Sequence, residues 1–450
     1  MDGATRERVQ AMTEQAREAL DRCLGAGADQ AEVSLNSDRG LSVGVRNGEV
    51  ETIEYTRDSG LSVTVYFGQR KGSASTADLL PTSVRATVER ACEIARYTES
   101  DPAAGLADAE RMAREFPDFD LWHPWDIRPE QAIELALRAE AAGREADARI
   151  STSDGATLAT GQSLSIYANS HGFVGIEHST EHSLGCGLIA GSGTGMQHDH
   201  WYSNALAPED IEAPEAIGRR AAARAVGRLN PRPVRTGTYP VLFEAPAARS
   251  LIKHLLAAVS GGALYRRASF LLDSVDTQLF PERFSIIERP HLRRGFRSTA
   301  FDAEGVATRE SALVENGVLR RYLLGSYSAR RLGLETTGNA GGAHNLEVAD
   351  TGAGFDDLLH AVGTGLLVTE LMGQGVNPVT GDYSRGASGF WVENGEIAYP
   401  VDEITVAGTL RQMFRDIIGV GRDIDPRSHI HTGSILVSAM TVAGQGQVMG

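Results

Sequence analysis

Over residues 4–25 apolar positions recur every three to four residues, so this stretch reads as an amphipathic helix that Gly25 and Gly27 bring to an end. The period then changes to two. Alternating segments run over 31–35, 41–46, 49–55 and 61–66, and Asn47-Gly48 between two of them predicts a hairpin, because both residues tolerate the positive φ of a tight turn. A helical period returns at 80–97. Together these predict one α+β unit, residues 1–112. After an aromatic, proline-bearing connection, Pro129 suits the first turn of a helix over 130–146. Strand-like segments across 150–203 and an arginine- and alanine-rich helix at 215–229 complete a second unit, residues 118–229.

Asn230-Pro231-Arg232-Pro233 is the clearest linker in the chain, which places a boundary near 230–238. A strand at 239–244 and a helix at 246–260, closed by Gly261-Gly262, open a third unit, residues 236–450. From there the pattern is mostly β, with hairpins at Asn316-Gly317 and Asn394-Gly395. The predicted class is α+β, with a two-part N-terminal region and a glycine-rich, mainly β C-terminal domain. Between Gly363 and Gly389 glycine recurs every few residues, marking backbone that turns sharply or approaches another segment closely. The expectation is a subunit interface bordering a cavity, anchored by Tyr383, Phe390 and Trp391.

Composition narrows the function classes. No apolar run in the 450 residues reaches the roughly 18 needed for a membrane span, and the charged N-terminus shows no secretory signal. Cys23, Cys92 and Cys186 are scattered without metal spacing, so a reduced cytoplasmic chain is expected. The formal net charge is −16, and Lys71 and Lys253 are the only lysines. An acidic chain without a basic cluster argues against a general nucleic-acid binder.

Two histidine motifs invite a metal reading. His178-x-x-Glu181-His182 matches the spacing of inverted zinc peptidases, which needs a helix to bring both imidazoles to one face. The surrounding residues are glycine- and β-rich, and a strand would leave Glu181 on the opposite face. His198-Asp199-His200 could chelate from one strand face but has no evident third ligand. No Gly-x-Ser-x-Gly elbow, P-loop or dinucleotide fingerprint is present.

Gly381-Asp382-Tyr383-Ser384-Arg385-Gly386, followed by Gly389-Phe390-Trp391-Val392-Glu393-Asn394-Gly395, resembles the TldD/PmbA peptidase family and its PmbA (TldE) branch. Val45–Glu51, Arg70–Thr76, Ser269–Ser274, Ser326–Arg330 and Thr337–Gly342 match as well, so the resemblance covers nearly the whole chain. In the TldD branch a His-Glu-x-x-x-His helix early in the C-terminal domain binds zinc, its glutamate acting as base on bound water. Here the corresponding helix, 248–260, has His254 followed by Leu255 and no second histidine. TldD also uses a cysteine near its C-terminus, and no cysteine follows Cys186.

The resemblance therefore implies a subunit without its own catalytic residues or metal. A TldD-type zinc-bearing partner would form a heterodimer with it, and small or unfolded peptides, including precursors of modified peptides, would be the substrates. The chain being a peptidase by itself, or a homodimeric peptide-binding scaffold, remain alternatives. Candidate peptide-facing residues are His254, His344, Asn345, Asp382, Tyr383 and Arg385. For all of these but Tyr383 a structural role is open too: His254 as a helix histidine, His344-Asn345 as loop-ordering groups, and Asp382 with Arg385 as an ion pair bracing a loop.

Overall fold

A computed structural model of the chain describes residues 2–444. Helix α1 (Gly3–Gly25) starts where the Asp2 carboxylate accepts the Thr5 N–H at 2.7 Å, satisfying one of the donors that a helix start leaves open. The four short alternating segments join into two long strands, β1 (Gln30–Arg46) and β2 (Glu49–Phe67), with β3 (Arg70–Thr76) added after them. Polar residues at 36–40 and 56–60 break the apolar alternation without ending the strands. β1 is paired there on both sides, with β2 throughout and with β4 (Ile150–Asn169) from Glu32 to Val45. Ladder hydrogen bonds continue where the hydrophobic pattern lapses.

Helices α2 (Pro81–Tyr97) and α3 (Pro129–Ala146) precede β4, and β5 (Val174–Ala190), β6 (Gln197–Ala205) and α4 (Pro214–Gly227) follow it. The sheet order is β3-β2-β1-β4-β5-β6, antiparallel throughout. It runs unbroken from the first N-terminal unit into the second. One face of it carries two cores in series. Val33, Leu35, Leu164 and Ile166 pack under α1 and α2, while Val43, Val45, Ala156 and Leu158 pack under α3 and α4. The Asn47-Gly48 hairpin forms as expected, and its two N–H groups donate to the buried Glu140 carboxylate of α3 at 2.7 Å each.

The C-terminal domain starts with β7 (Gly237–Phe243), α5 (Ala245–Ala258) and α6 (Gly261–Tyr265). Next come β8 (Ile286–Glu288), β9 (Ser311–Glu315), β10 (Val318–Leu319), α7 (Ser326–Leu332) and β11 (Leu346–Val348). Then follow α8 (Phe355–Val362), β12 (Gly365–Met372), β13 (Asp382–Glu393), β14 (Glu396–Thr409) and α9 (Leu410–Arg415). β15 (Ile417–Val420), β16 (Ile430–His431) and β17 (Ile435–Ala443) complete it. A second pairing of β14 with β17 closes β14-β13-β12-β7-β17 into a five-stranded barrel with β15 alongside, and a smaller sheet has the order β10-β9-β8-β11-β16. β6 and β7 lie in different sheets, and the α+β class holds.

Within the chain, the glycine-rich segment serves close backbone approach, as its composition suggested. A Cβ at Gly389 would lie 1.9 Å from the Leu367 carbonyl oxygen, and one at Gly375 1.8 Å from that of Ser384, so these glycines allow close approach within the chain. Tyr383 and Trp391 are core residues, 1% and 6% exposed, and therefore not surface anchors. The stretch between β12 and β13 does reach the surface, where Met372 and Val379 are exposed.

Gly218 marks the tightest contact between α3 and α4, since a Cβ there would lie 1.9 Å from the Ala139 carbonyl oxygen. Gly218→Ala should destabilise the protein by about 1–3 kcal/mol through overpacking, read as a lowered midpoint in urea unfolding.

Candidate functional site

Helix α5 presents His254 toward β13, on which Tyr383 and Arg385 share a face because strand side chains alternate. The His254 and Tyr383 rings meet edge-on, with centroids 5.9 Å apart at 80°. Three buried polar atoms here have no partner: His254 Nε2, Tyr383 Oη and Arg385 Nε. Arg385 also donates through Nη2 to the Leu371 carbonyl at 3.3 Å. Asp382 faces away and accepts the Thr380 hydroxyl at 2.6 Å, so the bracing ion pair with Arg385 does not form. An odd separation along a strand puts the two side chains on opposite faces.

The surroundings are cationic. Burial lowers the pKa of His254, and the charges of Arg385 and Lys253 push the same way. Burial together with Arg297, Lys253, His431 and Arg249 takes His429 down to about 4. Both imidazoles are thus held neutral among positive groups.

Zinc takes about four nitrogen, sulfur or oxygen donors in a tetrahedron. Around His254 the donors amount to one imidazole and one phenol, with Lys253 and Arg385 opposing a divalent cation. These residues do not fit zinc. Among the described residues no group of three or more His, Cys, Asp or Glu is placed to hold a metal ion.

The two histidine motifs resolve as strand geometry. On β5, His178 meets Trp122 edge-on, with centroids 5.7 Å apart, and His182 meets Trp125 at 5.6 Å. His182 is satisfied by the Thr160 hydroxyl at 2.8 Å and the His123 carbonyl at 2.9 Å, while Glu181 accepts from Asn204. On β6, His198 and His200 stack on the exposed face, and Asp199 turns inward to Arg224 and Arg228.

His344 and Asn345 belong to a second constellation. His344 donates its backbone N–H to Glu288 Oε1 at 2.7 Å, and its Nδ1 lies 2.9 Å from the same oxygen. Asn339 Nδ2 reaches that oxygen at 2.9 Å, and Arg321 pairs with Oε2. Asn345 is fully buried, donating to Ser298 Oγ at 2.8 Å and accepting the Arg297 N–H at 2.9 Å, which orders the 289–298 segment. It faces the protein interior. His344, by contrast, lines a cavity of about 790 Å³ between the N-terminal sheet and the C-terminal domain. The loop Ala340–Ala343 separates it from a second cavity of about 550 Å³.

Models of three PmbA/TldA metallopeptidase domains match consecutive stretches: domain 1 over residues 31–95, the central domain over 122–229 and the C-terminal domain over 236–444. The chain belongs to the PmbA/TldD metallopeptidase family. It is 48% identical over 418 residues, 93% of each chain, to the metalloprotease PmbA of Escherichia coli O157:H7. A PmbA homolog of Haemophilus influenzae is 47% identical over 95% of this chain and 94% of its own. A solved protein of Bacteroides thetaiotaomicron VPI-5482 superposes with a TM-score of 0.91 at 28% identity, covering 96% of this chain and 98% of that one. TldE from Thermococcus kodakarensis shares the fold, with a TM-score of 0.84 at 20% identity and coverage of 96% and 100%.

Glu288 and Arg321 were not singled out by sequence, and Asn339 entered only as part of the Thr337–Gly342 stretch. They meet across separations of 33 and 51 residues, which no local pattern spans. Burial would raise the Glu288 carboxyl, but His344 and Arg321 outweigh it and hold the group at about 2, against an ordinary 4.5. A depressed carboxylate stabilises the fold above its unfolded value and loses that contribution as pH falls toward its folded one. Glu288→Gln should therefore cost on the order of 3 kcal/mol at pH 7, a gap that narrows below about pH 4.5 and closes near pH 2. Urea unfolding across that pH range measures it.

Proposed function

We propose that this chain is the PmbA/TldE-like, non-catalytic subunit of a cytoplasmic two-protein zinc peptidase acting on small or unfolded peptides. The observation that carries the reading is α5, where a single imidazole, His254, is hemmed in by Lys253, Arg385 and Tyr383. Zinc and its general base would then belong to a TldD-type partner. This chain would close the chamber and help to hold the peptide, and the exposed tip between β12 and β13, with Met372 and Val379, is available for contact with the partner. The name of the Escherichia coli relative, a metalloprotease, supports peptide hydrolysis as the activity of the assembly.

The purified chain should contain no stoichiometric zinc by elemental analysis and cleave no unfolded peptide. Adding a TldD-type partner should produce cleavage that a chelator abolishes. Chelator-sensitive cleavage by the chain alone would overturn the assignment.

A further inference from the structure

The cavity between the N-terminal sheet and the C-terminal domain contains a carboxylate that forms no ion pair among the described residues. Glu177 of β5 is exposed to it, and its Oε1 accepts the Thr299 hydroxyl at 2.5 Å. Burial raises its titration, and Thr299 and His344 offset this only in part. His344 is itself engaged by Glu288. Arg297 also lines the cavity, and among the described residues no ion pair joins it to Glu177.

The walls around this carboxylate mix polar groups, among them Asp118, Asp120 and His178, with apolar ones. Phe116, Trp122, Ile176 and Phe301 face the same space, and Phe116 and Ile176 keep 52% and 41% of their surface exposed. A carboxylate beside exposed aromatic and aliphatic side chains, with no ion pair among the described residues and with Asp118 and Asp120 in the same walls, favours a ligand that brings a positive charge and an apolar group together.

We propose that this cavity seats an ammonium-bearing part of a peptide, the positive group on Glu177 and the adjoining apolar side chain against Phe116, Trp122 and Phe301. The ammonium is a peptide N-terminus or a lysine side chain. The assignment rests on the reading of the protein as a peptide-handling subunit, and it names the chemistry of one subsite.

The test uses the full chain without a partner and three probes: Ala-Phe-Ala amide, its Nα-acetyl form, and Nα-acetyl-Lys-Phe-Ala amide. Calorimetry and Trp122 fluorescence, assigned with Trp122→Phe, report binding. The free amine should bind about tenfold more tightly than the acetylated peptide. Tight binding of the acetylated lysine probe assigns the site to any ammonium, and its weak binding assigns it to the N-terminus. Glu177→Gln keeps an acceptor for Thr299 and should erase the preference at unchanged thermal unfolding. Equal affinity for free and acetylated peptides, no binding of any probe, or a preference that survives in the variant would overturn the proposal. Because the readout is binding to this chain alone, such a failure is separable from one in the partner-dependent cleavage assay.

Discussion

The buried carboxylate of Asp199 is the contact on which the relation between the two halves of the molecule depends. It is 3% exposed on β6 and accepts from Arg224 and Arg228 of the α4 region at 3.2 and 2.6 Å. Each arginine then reaches across to the C-terminal domain: Arg224 to Glu244 at the start of α5, and Arg228 to Glu370 on β12. Burial works against the Asp199 charge, but the two guanidinium groups outweigh it and keep the carboxyl below its ordinary pKa. Removing one member would strand charge in a dry environment, so the network behaves as a unit.

A second clamp lies alongside. Arg427 covers the Trp201 ring at 3.8 Å and donates to the Tyr202 carbonyl, and Asp425 holds both Arg427 and Arg249 of α5. These contacts fix where α5 lies relative to the N-terminal sheet. The cavity that Glu177 and His344 line draws its walls from the sheet on one side and from the 296–303 segment of the C-terminal domain on the other. A ligand site between two domains needs such rigidity, since its walls come from separate cores.

The packing of α5 accounts for its place in the fold through buried apolar side chains alone. The apolar side of α5, with Leu251, Ile252 and Leu255 buried, still packs into the barrel domain. The fold is therefore supported by burial and does not require ligation. The polar side carries His254, which meets Tyr383 edge-on and feels the charges of Arg385 and Lys253. Function resides in side chains carried by a shared scaffold, so the packing of α5 and the chemistry of its polar side can vary independently.

Local chemistry by itself determined a good deal. Helix periods located α1 to α5 within a residue or two, Asn-Gly pairs located the hairpins at 47–48, 316–317 and 394–395, and a two-residue period placed His178 and His182 opposite Glu181. The missing glutamate and second histidine of α5 were equally plain. Each of these depends on residues a few positions apart. Tertiary structure decided the rest. The polar centres of β1 and β2 are strand because β4 pairs with β1, from more than a hundred residues away. Tyr383 and Trp391 are core because the barrel closes over them, whereas their composition alone suggested a surface. Glu288 and Glu177 acquire their roles only where distant segments converge, and a sequence pattern has no term for what lies across a cavity.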